Sequence, residues 1–164
     1  MTPLRAGVLA AAVSLILDQA TKLWLLHGFN LAGKGVVPVT SFFDLVLAWN
    51  TGISYGWFAG QGPTGQALML AFKVVAVIAL AIWMARSTTT LATVALGLII
   101  GGAIGNAIDR VAYGAVVDFA LFHIQIGGQT YNWYVFNLAD VAIVVGVAAL
   151  LYDSLLGTPA AKAP

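Results

Sequence analysis

The residues best suited to acid–base chemistry in this chain are its aspartates. Of its 164 residues, six are acidic, and all six are aspartates because glutamate is absent; cysteine is absent as well. The lack of cysteine excludes disulfides, thiolate nucleophiles and cysteine-based metal sites. Two carboxylates held close together cannot both ionise easily and so share a proton. The ionised partner can then take a proton from water while the protonated partner polarises a carbonyl and later protonates a leaving amine.

The composition decides what kind of scaffold must position such a pair. Hydrophobic residues make up 61% of the chain and charged residues only 8%, against about 25% charged in an average soluble domain. There is too little polar surface to coat a soluble globule, so the composition predicts an integral membrane protein. The net charge of +1 gives no electrostatic reason to expect nucleic-acid binding.

Four segments are long and apolar enough to cross a bilayer, which takes about 20 mainly apolar residues. They are predicted as helices at about residues 6–27, 65–85, 88–108 and 138–156. Together they form one membrane-embedded domain over residues 1–164, with a disordered tail at about 157–164.

Two long connections, residues 28–63 and 109–137, join these helices on one side of the membrane. They contain β-prone runs such as GVVPVTSFFDLVLAW and a group of aromatic residues typical of the membrane interface. The predicted fold class is therefore an all-α membrane protein of four spanning helices with a small β-structure built from the two connections.

The orientation follows from the helix number and the basic residues. An even number of spans places both termini on one side, with Arg5, Arg86 and Lys162, while Lys34 and Arg110 fall on the other. Because short cytoplasmic flanks carry an excess of lysine and arginine, this distribution favours cytoplasmic termini.

Most strongly polar side chains fall at one membrane face, the one with the long connections. They are Asp18, Gln19, Lys22, Asn50, Asn106, Asp109, Arg110, Asp118, Asn137 and Asp140. A charge at the centre of a spanning helix costs about 2.5–3.5 kcal/mol on insertion scales, so such residues usually face a protein interior or a wet cavity.

Several of these residues also have a purely structural interpretation. Asp140 follows Asn137 by three residues, which is the spacing of a helix N-cap and its third helical residue. Asp118 alone is typical of a surface acid, and Asp18 and Lys22 are spaced to pair on one helix face. For chemistry, Asp118 and Asp140 are the best candidate pair, since one lies in a connection and the other at a helix start on the same face.

Five short motifs, in this order, are together similar to those of a known family. They are DQATK (18–22), NTG (50–52), GGAIGNAIDR (101–110), VVDF (116–119) and FNLAD (136–140). The set closely resembles bacterial lipoprotein signal peptidase, signal peptidase II, from the first predicted helix to the fourth.

The resemblance implies an aspartyl peptidase of the bacterial inner membrane. Such an enzyme removes the signal peptide from a prolipoprotein by cutting just before a cysteine that carries diacylglyceryl, without a metal or other cofactor. The implied partners are these lipid-modified substrates and membrane lipids, with no obligate protein partner. The family fold has four spanning helices and an extracytoplasmic β-cradle.

The resemblance also assigns roles to residues. It places the catalytic dyad on Asp118 and Asp140. It implies substrate-binding or dyad-supporting roles for Asp18, Lys22, Asn50, Gly105, Asn106, Asp109, Arg110, Asn137 and Ala139. The run NTGISYGWF departs from the family pattern at residues 53–56, where the family usually has small residues followed by Phe-Ser.

Other functions remain open from the sequence. Intramembrane acids with a basic partner also suit a small proton- or ion-coupled carrier, and pairing between Asp and Arg of different proteins suits a non-catalytic assembly subunit. A further alternative is another intramembrane aspartyl protease family, although the Gly-x-Gly-Asp motif of one such group is absent. The carrier and assembly alternatives predict no peptide cleavage, which separates them from the peptidase.

Overall fold

The computed structural model of the chain describes residues 1–52 and 62–156. Two of the sequence predictions lie outside the described residues: the departure at residues 53–56 and the disordered tail at 157–164.

The first helix, α1 (Pro3–Leu23), begins with Thr2, whose side chain accepts a hydrogen bond from the Arg5 amide at 3.4 Å. Pro3 occupies the first helical position, where the missing N–H costs nothing. The helix continues as a π-helical turn, Trp24–Gly28, and a short helix α2 (Leu31–Lys34) follows.

Three further helices complete the helical part: α3 (Gly62–Arg86), α4 (Thr90–Tyr113) and α5 (Leu138–Leu156). Among the described residues, three helical segments are long and apolar enough to cross a membrane: Pro3–Gly28, Thr90–Tyr113 and Leu138–Leu155. The protein is therefore a membrane protein, as its composition predicts.

Helix α4 is the centre of the bundle and packs against α1, α3 and α5. Glycines allow the close approach, since a Cβ on Gly101 would collide with the Ala11 carbonyl of α1 and one on Gly102 would lie 2.5 Å from the Ala139 carbonyl of α5. Small residues at helix interfaces serve this purpose in membranes, where backbones must approach closely to gain packing energy.

A four-stranded antiparallel sheet joins the two long connections, in the order β1-β2-β3-β4. Strands β1 (Val37–Pro38) and β2 (Phe43–Asn50) come from the first connection, and β3 (Val116–Ile126) and β4 (Gln129–Asn132) from the second. The predicted small β-structure is present, and the all-α description applies to the bundle alone.

The sheet is anchored to the end of α1 by an apolar cluster. Leu25 and Leu31 are buried against Phe119 and Ala120 of β3. This packing fixes the first half of β3 over the bundle, next to the ends of α4 and α5.

Candidate active site

The start of α5 is a reciprocal capping box. The Asn137 side-chain oxygen accepts a hydrogen bond from the Asp140 amide at 3.0 Å, and the Asp140 carboxylate accepts one from the Asn137 amide at 3.3 Å. Asn137 is thus the N-cap and Asp140 the third helical residue, where a carboxylate also complements the helix dipole. The predicted capping role of Asp140 is confirmed, and one of its carboxylate oxygens remains available for other partners.

Asp118 lies near the start of β3, opposite Ala48 of β2, and only 2% of it is exposed. One of its oxygens accepts a hydrogen bond from the Asn137 side-chain amide at 2.6 Å, and the other accepts one from Asn50 at 3.0 Å. Asn137 therefore contacts both Asp118 and Asp140, which brings the two aspartates of the sequence prediction into one site.

Asn106 of α4 is the second residue that connects the site. Its amide nitrogen donates to Asp140 at 2.8 Å, while its oxygen accepts from Asn137 and from Lys22, each at 3.1 Å. Because each hydrogen bond fixes an orientation of the amide, Asn106 links the position of Asp140 to a lysine of α1.

That lysine is the centre of a buried ionic network. The Lys22 ammonium lies 2.8 Å from the Asp18 carboxylate and 2.7 Å from that of Asp109, and all three side chains are buried. Gln19 donates to both carboxylates, at 3.2 Å and 2.9 Å, and to the Gly105 carbonyl at 3.1 Å. Buried charges of this kind are tolerable only when paired and hydrogen-bonded.

The network also holds the two segments that carry the aspartates. Asp18 accepts a hydrogen bond from the Ala139 amide at 2.9 Å, at the start of α5, and Asp109 accepts one from the Val117 amide at 3.1 Å, in β3. Ala139 and Val117 directly precede Asp140 and Asp118 in sequence. Each carboxylate of the network thus positions one member of the candidate pair through its neighbouring backbone.

Gly105 and Ala139 are positioned as close-packing residues. A Cβ on Gly105 would lie 2.6 Å from Asp18 Oδ2, so a larger residue there would displace the network, and the Ala139 side chain lies beside it.

Arg110 lies near Asp118 and Asp140. Among the described residues it makes no hydrogen bond and no ion pair with either aspartate. Its guanidinium packs over Gly52, where a Cβ would lie 2.9 Å from one of its terminal nitrogens. Gly52 has φ of 82°, and its amide donates to the Asn50 side chain at 2.9 Å. The NTG motif therefore forms a turn in which Gly52 contacts both the Asn50 side chain and the Arg110 guanidinium.

Comparisons with known proteins place the chain in a family. The family described as Signal peptidase (SPase) II matches residues 10–156. A lipoprotein signal peptidase of Rhodopseudomonas palustris strain TIE-1 is 83% identical over 100% of both chains, and one of Nitrobacter hamburgensis is 71% identical over 100% of both. The chain belongs to the signal peptidase II family.

A solved structure of a bacterial membrane enzyme is also similar to this signal peptidase. It superimposes with a TM-score of 0.75 at 28% identity and covers 93% of this chain and 94% of that one. Membership of the family favours a peptidase over the carrier and assembly-subunit alternatives.

The environment of Asp118 differs from that of Asp140. Burial raises the pKa of Asp118 above its ordinary value, and the hydrogen bonds from Asn50 and Asn137 oppose that rise, while the nearby Asp140 adds to it. Asp140 is partly exposed and lies at a helix N-terminus. Two carboxylates in surroundings of different burial and hydrogen bonding are typical of pairs in which one acts as an acid and the other as a base.

One residue of the network is absent from the predicted site: Gln19. The sequence placed Gln19 among the polar residues at one membrane face and within DQATK, but a glutamine in a helix has no spacing rule that assigns it a role. Within residues 1–52 and 62–156, no group of three histidine, cysteine, aspartate or glutamate side chains is arranged to hold a metal ion. That the peptidase needs no cofactor stays a prediction.

Proposed function

We propose that Asp118 and Asp140 are the catalytic pair with which this membrane peptidase removes the signal peptide from diacylglyceryl-modified prolipoproteins, cutting just before the lipidated cysteine. The observation that carries the proposal is the placement of both carboxylates on one asparagine, Asn137, at 2.6 Å and 3.3 Å. Two carboxylates held at one site in different surroundings can divide the roles of general acid and general base.

In the proposed reaction Asp140 is the base and Asp118 the acid. Asp140 is partly exposed and takes a proton from the attacking water, while buried Asp118 holds a proton and polarises the peptide carbonyl. The water oxygen bonds to the carbonyl carbon, the C–N bond breaks, and a proton passes from the pair to the leaving amine.

The asparagines and Arg110 support this reaction in different ways. Asn106 and Asn137 hold the aspartates through the hydrogen bonds described above. Asn50 is exposed at the end of β2 and donates to Asp118, so it lies where a substrate peptide can approach. Arg110, with its guanidinium over Gly52, is placed to bind a substrate carbonyl.

The membrane setting follows from the depth of the pair. We propose four spanning helices, with α3 (25 residues) as the fourth, in the bacterial inner membrane with both termini cytoplasmic. The sheet then lies at the extracytoplasmic surface. A diacylglyceryl group anchors its cysteine at that surface, so a peptidase for the adjacent bond needs its acid–base pair at the same depth. Membrane lipids surround the bundle, and no obligate protein partner is proposed.

The test is cleavage of a purified diacylglyceryl-modified prolipoprotein by the detergent-solubilised protein. Asp118→Asn and Asp140→Asn should each lower kcat by about 10³-fold or more, in the range seen when one member of a catalytic pair is lost. Asp153→Asn, at the other end of α5, is the matched control and should retain the parent rate. A folded Asp118→Asn or Asp140→Asn variant that still cleaves would remove that residue from the pair.

A further inference from the structure

Lys73 is a cation of α3, the helix proposed above as the fourth span, and the proposed reaction does not use it. It lies near the middle of α3 and is partly buried, on the helix face that includes Val77 and Met84. Among the described residues it has no hydrogen-bond or ion-pair partner, in contrast to the fully paired Lys22. A lysine within a spanning helix is costly, so such residues usually serve a substrate or an ion.

Lys73 borders an apolar groove between α3 and α4 with a cavity volume of about 410 Å³. From α3 the groove is lined by Val77 and Ile78, and from α4 by Ala103 and Ala107. Lys73 is the only charged residue among the described residues of the lining, so the groove suits a hydrocarbon with one hydrogen-bond acceptor at the depth of Lys73.

The groove leads to the candidate active site. Ala103 precedes Asn106 by three residues and Ala107 precedes Arg110 by three, so the four residues lie on neighbouring parts of one face of α4. Lys73 also lies near enough to Arg110 and Asp140 to interact electrostatically with both. An occupant of the groove can therefore be part of a molecule that reaches the aspartate pair.

The size of the groove limits what this occupant can be. The groove's lining of alanines and branched apolar side chains surrounds about 410 Å³, which suits a narrow hydrocarbon chain. A single acyl chain is narrow and flexible, and its ester carbonyl is an acceptor at the boundary between hydrocarbon and polar groups. The ammonium of Lys73 offers three donors and no acceptor, which complements that carbonyl.

We propose that Lys73 is a specificity-determining residue that binds an ester carbonyl of the substrate's diacylglyceryl group, with the attached acyl chain in the α3–α4 groove. The inference rests on the proposed function, because it assigns a place to the lipid of that substrate. It predicts that the enzyme recognises the ester linkage of the substrate's lipid as well as its hydrocarbon chain.

The test compares two substrates that differ only in that linkage. One prolipoprotein carries diacylglyceryl, and the other carries a dialkylglyceryl group of equal chain length, in which ether linkages lack the carbonyl. Both are cleaved in a glycoside detergent free of phospholipid, so that the substrate supplies the only lipid esters. This arrangement separates the substrate's ester from those of the bilayer.

We expect replacement of Lys73 and replacement of the ester to raise KM by the same amount, with no added effect when both are replaced. Lys73→Met should raise KM for the diacyl substrate about tenfold or more, as expected for loss of a hydrogen bond to a charged group, with kcat nearly unchanged. The ether substrate should show a similar rise with the parent protein and no further rise with Lys73→Met. Lys73→Arg keeps the charge and the donors and should restore most of the affinity for the diacyl substrate.

Arg86→Met is the matched control, because it removes one positive charge from the exposed far end of the same helix. It should leave KM for both substrates unchanged. Independent effects of the ester and of Lys73 on KM would overturn the proposal. So would equal KM values of the parent protein for the two substrates, a comparison that needs no variant to fold.

The two proposals fail in different ways. If the folded parent protein cleaves neither substrate, the proposed function is wrong. If it cleaves the diacyl substrate and Asp118→Asn does not, the proposed role of Asp118 stands. If replacing the ester and replacing Lys73 then change KM independently, only the assignment of Lys73 is wrong.

Discussion

At the scale of single residues, Asn137 combines two roles that the sequence presents separately. It caps α5 with its side-chain oxygen and donates to Asp118 with its side-chain nitrogen. The amide carries its acceptor and its donor on separate atoms, which lets it cap the helix and donate to Asp118 at once. Aspartate has no donor, and serine has a single oxygen for both roles.

These two roles can be separated by substitution. Asn137→Ala should lose the cap, at a cost of about 1 kcal/mol in the free energy of unfolding, whereas Asn137→Ser should retain it. Both should lower kcat by roughly 10- to 100-fold, because both lose the amide donor to a carboxylate. Unfolding in detergent and single-substrate kinetics measure the two effects, and a serine variant with the parent kcat would contradict the positioning role.

The raised pKa of Asp118 predicts a dependence of stability on pH. Since its pKa is raised in the folded state, this group favours folding fully below the ordinary value of 3.8. Its contribution is lost as the pH rises from there through the folded-state pKa. Asp118→Asn should remove that component, so the difference in Tm between variant and parent should grow in favour of the variant as the pH rises. A difference that does not change with pH would contradict the assignment.

At the scale of the elements, α4 determines where the site can form. Its glycines bring α1 and α5 close enough for Asp18 to reach the Ala139 amide across the bundle. Gly97 makes the same kind of contact farther from the site, where a Cβ would collide with the Gly7 carbonyl of α1.

Gly97 and Gly105 of α4 form a matched pair for testing the packing of the helices. Gly97→Ala and Gly105→Ala should each lower the free energy of unfolding by about 1–3 kcal/mol, the usual cost of overpacking. Only Gly105→Ala should also lower kcat, because its methyl group would displace the Asp18 carboxylate. Equal loss of kcat in both variants would show that activity follows bundle packing in general.

At the scale of the whole molecule, the sheet joins two connections that are distant in sequence. β2 pairs with β3 so that Asn50 and Asp118 meet, while Leu25 and Leu31 hold β3 against the end of α1. The site therefore requires the bundle and the sheet together, and neither contains the complete set of polar residues.

The proposed orientation can be measured with introduced cysteines, since the chain has no native cysteine. Thr130→Cys is exposed on β4, and Thr88→Cys is exposed between α3 and α4. In intact spheroplasts, a membrane-impermeant maleimide should label the first and should label the second only after permeabilisation. The reverse pattern would place the sheet and the aspartates on the cytoplasmic side.

The sequence by itself determined the membrane class and the positions of the main helices, because these depend on long apolar runs that are local in the chain. It also singled out Asp118, Asp140 and most of the polar residues that the structure brings near them as candidates, since polar groups are rare and costly in such a chain and five ordered motifs resemble one family.

Only the tertiary structure decided how these residues meet. Four features depend on side chains from different elements. They are the contact of Asn137 with both aspartates, the hydrogen bonds from Lys22 through Asn106 to Asp140, the inclusion of Gln19, and the absence of a partner for Lys73 among the described residues. Local periodicity specifies which face of a helix is polar, but the partners across the bundle depend on helix packing and strand register, which arise only when the chain folds.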